Sequence, residues 1–545
     1  MNEMADNPLD SLYGNHERSY LDSFEEYTMA LTGLPIDQAL FLMTQIVSVP
    51  FAFLLQYGLP ASRVGESARH LFCLLIGLMF GVVCFRWQIF HVLIPTVVAY
   101  PVLMIYGKSE AVGRVLLGCA MLYLSLSHMY RQVFDYGSYK LDITGPLMIW
   151  TQKVSIIGWA YCDGQKPDSE LTNDDHRKHK VDKLPSFLAY CSYLMGFLGF
   201  QTGPCYFFND YIEFMQGRHL VPFKKPVGDQ LLDADTTDSS SNSARSFEKY
   251  PSPIKAFVVN LAACALCGLV VAKLCPLFPT GSMAKDDFIR DTSFMYKVVY
   301  CYLTCFFYRF RYYFAWKLGE CISYAAGFGF SGWTEDGQEK WDLIKNCTLV
   351  KLETATSFKV VFDEWNKQTA KWLRFICYTR VVNKKHATNA VFLLSAFWHG
   401  FYPGYYVTFG QGMLFVSLGR KIRKSIRPFF QTSTSKQILY GLITFVGTHL
   451  ALSFAVTAQI LLRLSIVLKV YKSLYFYIVI ISFALLFLPF PRPPGQPKKK
   501  EKGEDEEDIN KPLENTEDEK KEESVRNTDD GSELRQRNLE GQSED

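Results

Sequence analysis

The apolar stretches of this chain hold few carboxylates, and the sequence shows no internal repeat. Both absences argue against a proton-coupled transporter. Proton relays use intramembrane acids, and many secondary transporters are built from doubled halves. Cys264 and Cys267 form a CxxC, but no second pair stands at ligand spacing. With Cys73, Cys84 and Cys119 they read as small core residues, and no metal is expected. Gly327, Gly329 and Gly332 have GxGxxG spacing, but no alternating strand–helix–strand pattern surrounds them, which argues against nucleotide binding. No cleavable leader is evident. The opening MNEMADNPLDSLYGNHERSYLDSFEEY is polar and acidic, so the first apolar run is expected to target the chain itself. The last four residues form no retrieval signal. Nothing points to a nucleic-acid partner, and oligomeric state is left open.

What the chain has is apolar length. Runs that approach or exceed the length of a bilayer crossing lie at 39–55, 70–83, 89–105, 112–126, 187–200, 254–274, 296–314, 390–418, 438–462 and 474–490. The fold class is therefore all-α, a polytopic integral membrane protein. Mean hydropathy is only +0.02, because polar ends and loops offset the runs. Residues 491–545 carry 18 acidic and 11 basic side chains in a chain of net charge +3, so the remainder is strongly basic. Such a body suits anionic headgroups or an anionic cosubstrate, although ordinary positive-inside loops give the same balance. The chain divides into a polar head at 1–38 with a short helix near 21–32, a membrane region at 39–490, and a charged tail at 491–545. The tail and the polar loop at 229–249 are expected to be disordered. Residues 140–164 suit a helix in the interface or against other helices.

One residue stands out. The segment Ala390–Leu418, AVFLLSAFWHGFYPGYYVTFGQGMLFVSL, has a single side chain that titrates near neutral pH, His399. A base at membrane depth suggests chemistry on a lipid-soluble substrate; the alternative is a histidine that only hydrogen-bonds a neighbouring helix. Basic clusters flank this segment on both sides, which one clean span cannot accommodate, so a break at Pro403-Gly404 is expected. Upstream, FKVVFDEWNKQTAKWLRFICYTR is expected to be a helix with Trp365, Thr369 and Trp372 on one face and Asn366 beside them. The tryptophans read equally as interfacial anchors. Arg374, Arg380, Lys384 and Lys385 set topology or attract a polyphosphate. Gly203-Pro204 marks a turn, and Asn346-Cys347-Thr348 is a glycosylation sequon that also fits a plain loop.

WNKQTAKWLR followed by SAFWHGFYPGYY resembles the paired signature of the membrane-bound O-acyltransferases. LDITGPLMIWTQK, GFQTGPCYFFNDYIEF and YYFAWKLGECISYAAGFGFSGW are similar to its lysophospholipid branch, and the matches spread over roughly residues 35–470. The resemblance implies about ten to eleven transmembrane helices around a central reaction chamber. It implies acyl transfer from acyl-CoA to the free hydroxyl of a lysophospholipid, in the remodelling of phospholipids at the endoplasmic-reticulum membrane. No bound cofactor is implied; acyl-CoA is a cosubstrate, and lysophospholipid and membrane lipid are the partners. His399 and Asn366 match the catalytic positions. Trp365, Thr369, Trp372, Ser395, Trp398, Gly203 and Pro204 are the expected substrate contacts. A neutral imidazole can take the hydroxyl proton, and a side-chain amide can donate to the thioester oxygen or hold the substrate. A protein O-acyltransferase of the same family, a proton-coupled transporter and a lipid-binding scaffold without activity are the rival readings.

Overall fold

The computed structural model describes residues 27, 29–30, 33–107, 109–137, 140–224 and 248–490. Most of the head, most of the helix expected near 21–32, the loop at 229–249 apart from its last two residues, and the tail lie outside them. The apolar runs fold as helices, because backbone in lipid must satisfy its hydrogen bonds within the segment. The first group comprises α1 (Ile36–Phe53), α2 (Ala61–Phe85), α3 (Phe90–Tyr106) and α4 (Ala111–Phe134). Their outer faces carry large apolar side chains, with Leu75 55%, Ile94 59% and Ile105 75% exposed. That is the surface a helix presents to lipid rather than to water.

α5 (Thr144–Gly164) follows, then the short helices α6 (Asp174–His179), α7 (Phe187–Met195) and α8 (Phe208–Met215). Two-residue strands β1 (Phe223–Lys224) and β2 (Glu248–Lys249) pair antiparallel. Next come α9 (Pro253–Lys273), α10 (Asp286–Asp291) and α11 (Phe294–Ala325), then a second small hairpin, β3 (Gly332–Trp333) with β4 (Glu339–Lys340). The last part holds α12 (Leu349–Glu353), α13 (Phe358–Glu364), α14 (Lys367–Leu373), α15 (Lys384–His399), α16 (Pro403–Ser425), α17 (Thr434–Leu461), α18 (Leu464–Ser473) and α19 (Tyr477–Phe487). Among the described residues, five helical stretches are long and apolar enough to cross a membrane: Ile36–Gly58, Ala61–Tyr106, Ala111–Phe134, Pro253–Ala284 and Thr434–Leu461. α18 and α19, bent by 77°, would together make a sixth.

Several elements differ from the sequence reading. The 187–200 run is no span: α7 ends at Met195 and the chain continues as an irregular buried segment. Residues 144–164 lie against other helices, as one of the two expected placements has it, and Thr151, Gln152, Lys153 and Ser155 are wholly buried. The 390–418 run is broken at Gly400, not at Pro403-Gly404. Gly400 has φ +110°, while Pro403 opens α16 at a position where its missing N–H costs nothing. Phe358–Arg380 is not one helix. Trp365 and Asn366 separate α13 from α14, and Asn366 is left-handed with φ 46°.

The described interior has two large apolar clusters. One gathers α2 to α5 with α7 and α8 and includes Trp372 and Trp398. The other gathers α11, α16 and α17, with Trp365 packed against it. The segment from Trp365 to Trp372 crosses the seam between them.

Candidate active site

α5 organises the site. The Trp398 indole donates to the Met148 carbonyl at 3.1 Å, the Gln152 amide to the Thr369 hydroxyl at 2.9 Å, and the Trp372 indole to the Ser155 hydroxyl at 2.9 Å. One buried helix thus holds α14 and α15 together, and the Trp372 and Trp398 rings lie 5.4 Å apart. A helix interior tolerates such polar side chains when each finds a partner. Thr369, Trp372 and Trp398 are brought together; Trp365 is not among them. It packs on α11 instead, 4.9 Å from Trp316 and 5.7 Å from Tyr312. Trp372 has no exposed surface, so it is a core residue rather than an interfacial anchor.

His399 ends α15. Its imidazole is walled by Trp398, Tyr405 and Phe409, with ring centroids at 4.7, 5.5 and 5.2 Å. Among the described residues, nothing hydrogen-bonds either ring nitrogen. The plain structural role, a histidine tied to a neighbouring helix, is therefore not what the geometry shows. Ser395 lies buried one turn earlier on α15. His128 of α4, which sequence reading passed over, donates from Nε2 to the Trp398 carbonyl at 3.1 Å. A Cβ on Gly400 would stand 3.0 Å from the His128 ring, so the turn after His399 is moulded around that imidazole. Its partner is 270 residues away in sequence, and only its place at the end of an apolar run could have flagged it.

Asn366 caps α14 with its backbone carbonyl, while its side chain makes no capping hydrogen bond. Its position is fixed from below. Lys317 and Glu320 of α11 form a buried ion pair at 2.6 Å, and Glu320 accepts from the Asn346 and Cys347 amides at 2.7 and 3.3 Å. The Asn346 backbone oxygen then accepts from the Lys367 amide at 2.8 Å, and its side-chain oxygen from the Gln368 amide at 3.1 Å. Asn346, 2% exposed and spent in this way, is not offered as a glycosylation acceptor. No hydrogen bond joins Asn366 to His399.

Gly203-Pro204 sits between α5 and α11. A Cβ on Gly319 of α11 would meet the Gly203 carbonyl at 2.5 Å and Pro204 at 3.2 Å. Beside it, Lys153 donates to the Tyr193 carbonyl at 2.8 Å and the Tyr206 hydroxyl at 3.0 Å, bracing α5 against the α7–α8 segment. Of the basic residues that could attract a polyphosphate, Arg380 is taken. It grips the buried Asp163 carboxylate at 3.0 and 2.5 Å and stacks on Trp159. Arg374 pairs with Asp175 at 3.3 Å, and Lys384 donates to the Thr379 carbonyl at 2.9 Å.

A sequence model of the family described as membrane-bound O-acyltransferase matches residues 129–458. Among curated proteins the chain is 37% identical over 459 residues to lysophospholipid acyltransferase 6 of Drosophila melanogaster. That match covers 84% of this chain and 62% of the relative, so the chain spans less than two thirds of that protein. It is 34% identical to membrane-bound glycerophospholipid O-acyltransferase 1 of Mus musculus, over 86% of this chain and 92% of the relative. It is 28% identical to lysophospholipid acyltransferase 1 of Arabidopsis thaliana, over 86% and 97%.

Proposed function

The chain belongs to the membrane-bound O-acyltransferase family, and from that membership and the site around His399 we propose that it moves a fatty acyl chain from acyl-CoA to the free hydroxyl of a lysophospholipid. The observation that carries the reading is the unengaged imidazole of His399 at a helix break, enclosed by three aromatic rings. Relatives named for lysophospholipid and glycerophospholipid acylation support the acceptor class. The proposed domain is residues 39–490, with ten to eleven spans, in the endoplasmic-reticulum membrane where cytosolic acyl-CoA is within reach.

In this account His399 takes the acceptor's hydroxyl proton as the oxygen attacks the thioester carbonyl. The tetrahedral intermediate collapses with loss of the CoA thiolate, and the imidazolium returns the proton to that sulfur. No serine or cysteine nucleophile is needed. Asn366, its amide uncommitted, donates to the developing oxyanion or orients the acyl group. The aromatic wall keeps water from the thioester, which protects it from hydrolysis. His399→Ala is expected to lower turnover by about 10²–10⁴-fold, the usual worth of a positioned base, with the protein still folded. Asn366→Ala is expected to cost about 10²–10³-fold if it serves the oxyanion. Purified protein with labelled acyl-CoA is the assay, and full activity in His399→Ala defeats the proposal.

A further inference from the structure

Charge is segregated in the last third of this chain. No Asp or Glu occurs between Glu364 and Glu501, and all 18 acids of the tail fall at 501–545. Five of them are consecutive, from Glu504 to Asp508. The acid-free part builds a basic face. Arg420, Arg423 and Lys424 stand at i, i+3 and i+4 on α16, so they share one side of the helix, and all three are exposed. Arg427 follows in the 3₁₀ turn Arg427–Phe430, a helical turn further on. Arg420 donates to the Thr388 hydroxyl at 3.3 Å. Among the described residues, no carboxylate pairs with any of the four. Like charges at this spacing repel one another, so the face is stabilised by an anion laid along it.

The end of α19 is fixed beside that face. Lys421, the neighbour of Arg420, donates to the Leu486 and Leu488 carbonyls at 2.6 and 2.7 Å and so closes the last turn of α19. Its ammonium lies 4.8 Å from the centre of the Phe490 ring. Residue 491 therefore leaves the fold next to the basic face. Glu504 comes 14 residues after Phe490. An unstructured linker of that length spans about 20 Å on average. The face from Arg420 to Arg427 is only about 10 Å long at the helical rise. Reach is no obstacle. Tethering also gives the acids an effective concentration of about a millimolar, which a free anion has to match. Lys498, Lys499 and Lys500 precede the acids and gain nothing from a basic surface, so the complementary stretch begins at Glu504.

We propose that the acidic stretch Glu504–Asp508 docks on the face formed by Arg420, Arg423, Lys424 and Arg427, an intramolecular partner in the place that anionic headgroups would otherwise take. None of these residues is proposed to act in acyl transfer, so the docking is tested without turnover. Purified full-length protein in phosphatidylcholine nanodiscs is treated with a water-soluble carbodiimide, which joins a carboxylate to an amine in contact with it. The links are mapped by peptide mass spectrometry, and the expected one runs from 504–508 to Lys424. Arg423→Gln/Arg427→Gln keeps the Lys424 amine and should lower that link about fivefold, the worth of two exposed ion pairs. An unchanged link in this variant overturns the proposal. So do links from 504–508 that fall equally on exposed lysines of other faces, such as Lys178 and Lys255. A mixture of heavy- and light-isotope protein shows whether the link lies within one chain; a link chiefly between heavy and light chains assigns the face to a second copy and overturns the docking. The reaction is repeated in nanodiscs that contain phosphatidylserine. A retained link supports the tail as occupant, and its loss gives the face to anionic lipid and overturns the proposal.

Discussion

At the scale of single residues, the groups proposed to meet substrate differ from the groups that place them. His128 belongs to the second kind. Its Nε2–H to the Trp398 carbonyl and its ring against Gly400 fix the turn on which His399 is presented. His128→Ala is expected to lower kcat by up to about 10²-fold, the scale of a small misplacement, with KM for acyl-CoA little changed. His128→Gln keeps a donor of similar reach and should restore most of the loss. Steady-state kinetics of the two variants decide it, and an unimpaired His128→Ala would show that the turn holds without the ring. His399 was legible in the sequence because it was the only neutral-range acid–base group in a long apolar segment. His128 was not, because its meaning depends on a contact across most of the chain. Arg380 illustrates a third case. Its charge was visible, but its commitment to Asp163 could appear only once α5 was placed beside it.

At the scale of elements, helix existence followed from apolar length, while helix ends followed from single backbone positions that length does not report. Gly400 and Asn366 each take a positive φ; Asn366 splits what periodicity read as one helix, and Gly400 places the expected break of the 390–418 run three residues before Pro403. Trp365 and Trp372 consequently serve different cores, although their spacing puts them on one face of a continuous helix. α5 was the harder case. Its polar residues fitted an interface or a helix against other helices, and only the structure shows them to be the hydrogen-bonding spine of the interior. The close packing of α11 on the Gly203-Pro204 segment gives a test at this scale. Gly319→Ala puts a methyl within 2.5 Å of the Gly203 carbonyl, a backbone atom that cannot swing aside. The expected cost is about 1–3 kcal/mol of stability, typical of overpacking. It should be read as a lowered Tm of the detergent-solubilised protein; an unchanged Tm would mean that α11 shifts freely, and the rigid seam would have to be abandoned.

At the scale of the molecule, a polar crown outside the spanning helices packs against the site. His176 and His179 of α6 are buried there, His179 stacked on Phe207 at 3.7 Å. Burial, aided by Arg380, holds His176 down to about 4; burial, aided by Lys178 and Lys371, holds His179 down to about 3. Asp210 of α8, in the same crown, is pushed up to about 6 by burial. The unfolded histidines bind protons from about 6.5 downward and the folded ones do not, so they cost stability as pH falls from 6.5 toward 4. Asp210 opposes this, because its folded carboxyl protonates first. Two histidines outweigh one acid, so Tm should fall between pH 6.5 and 5. His179→Asn should flatten the fall and Asp210→Asn should steepen it; a Tm flat in this range for the wild type would contradict the buried, neutral state of the histidines.

The role proposed for His399, base of an acyl transfer to a lysophospholipid, is decided by one experiment. Purified protein is given labelled oleoyl-CoA and a panel of lysophospholipids, beside His399→Ala of matched folding. Labelled phospholipid is expected with the wild type, and at most about a hundredth of that rate with the variant. Equal product from both proteins would contradict it.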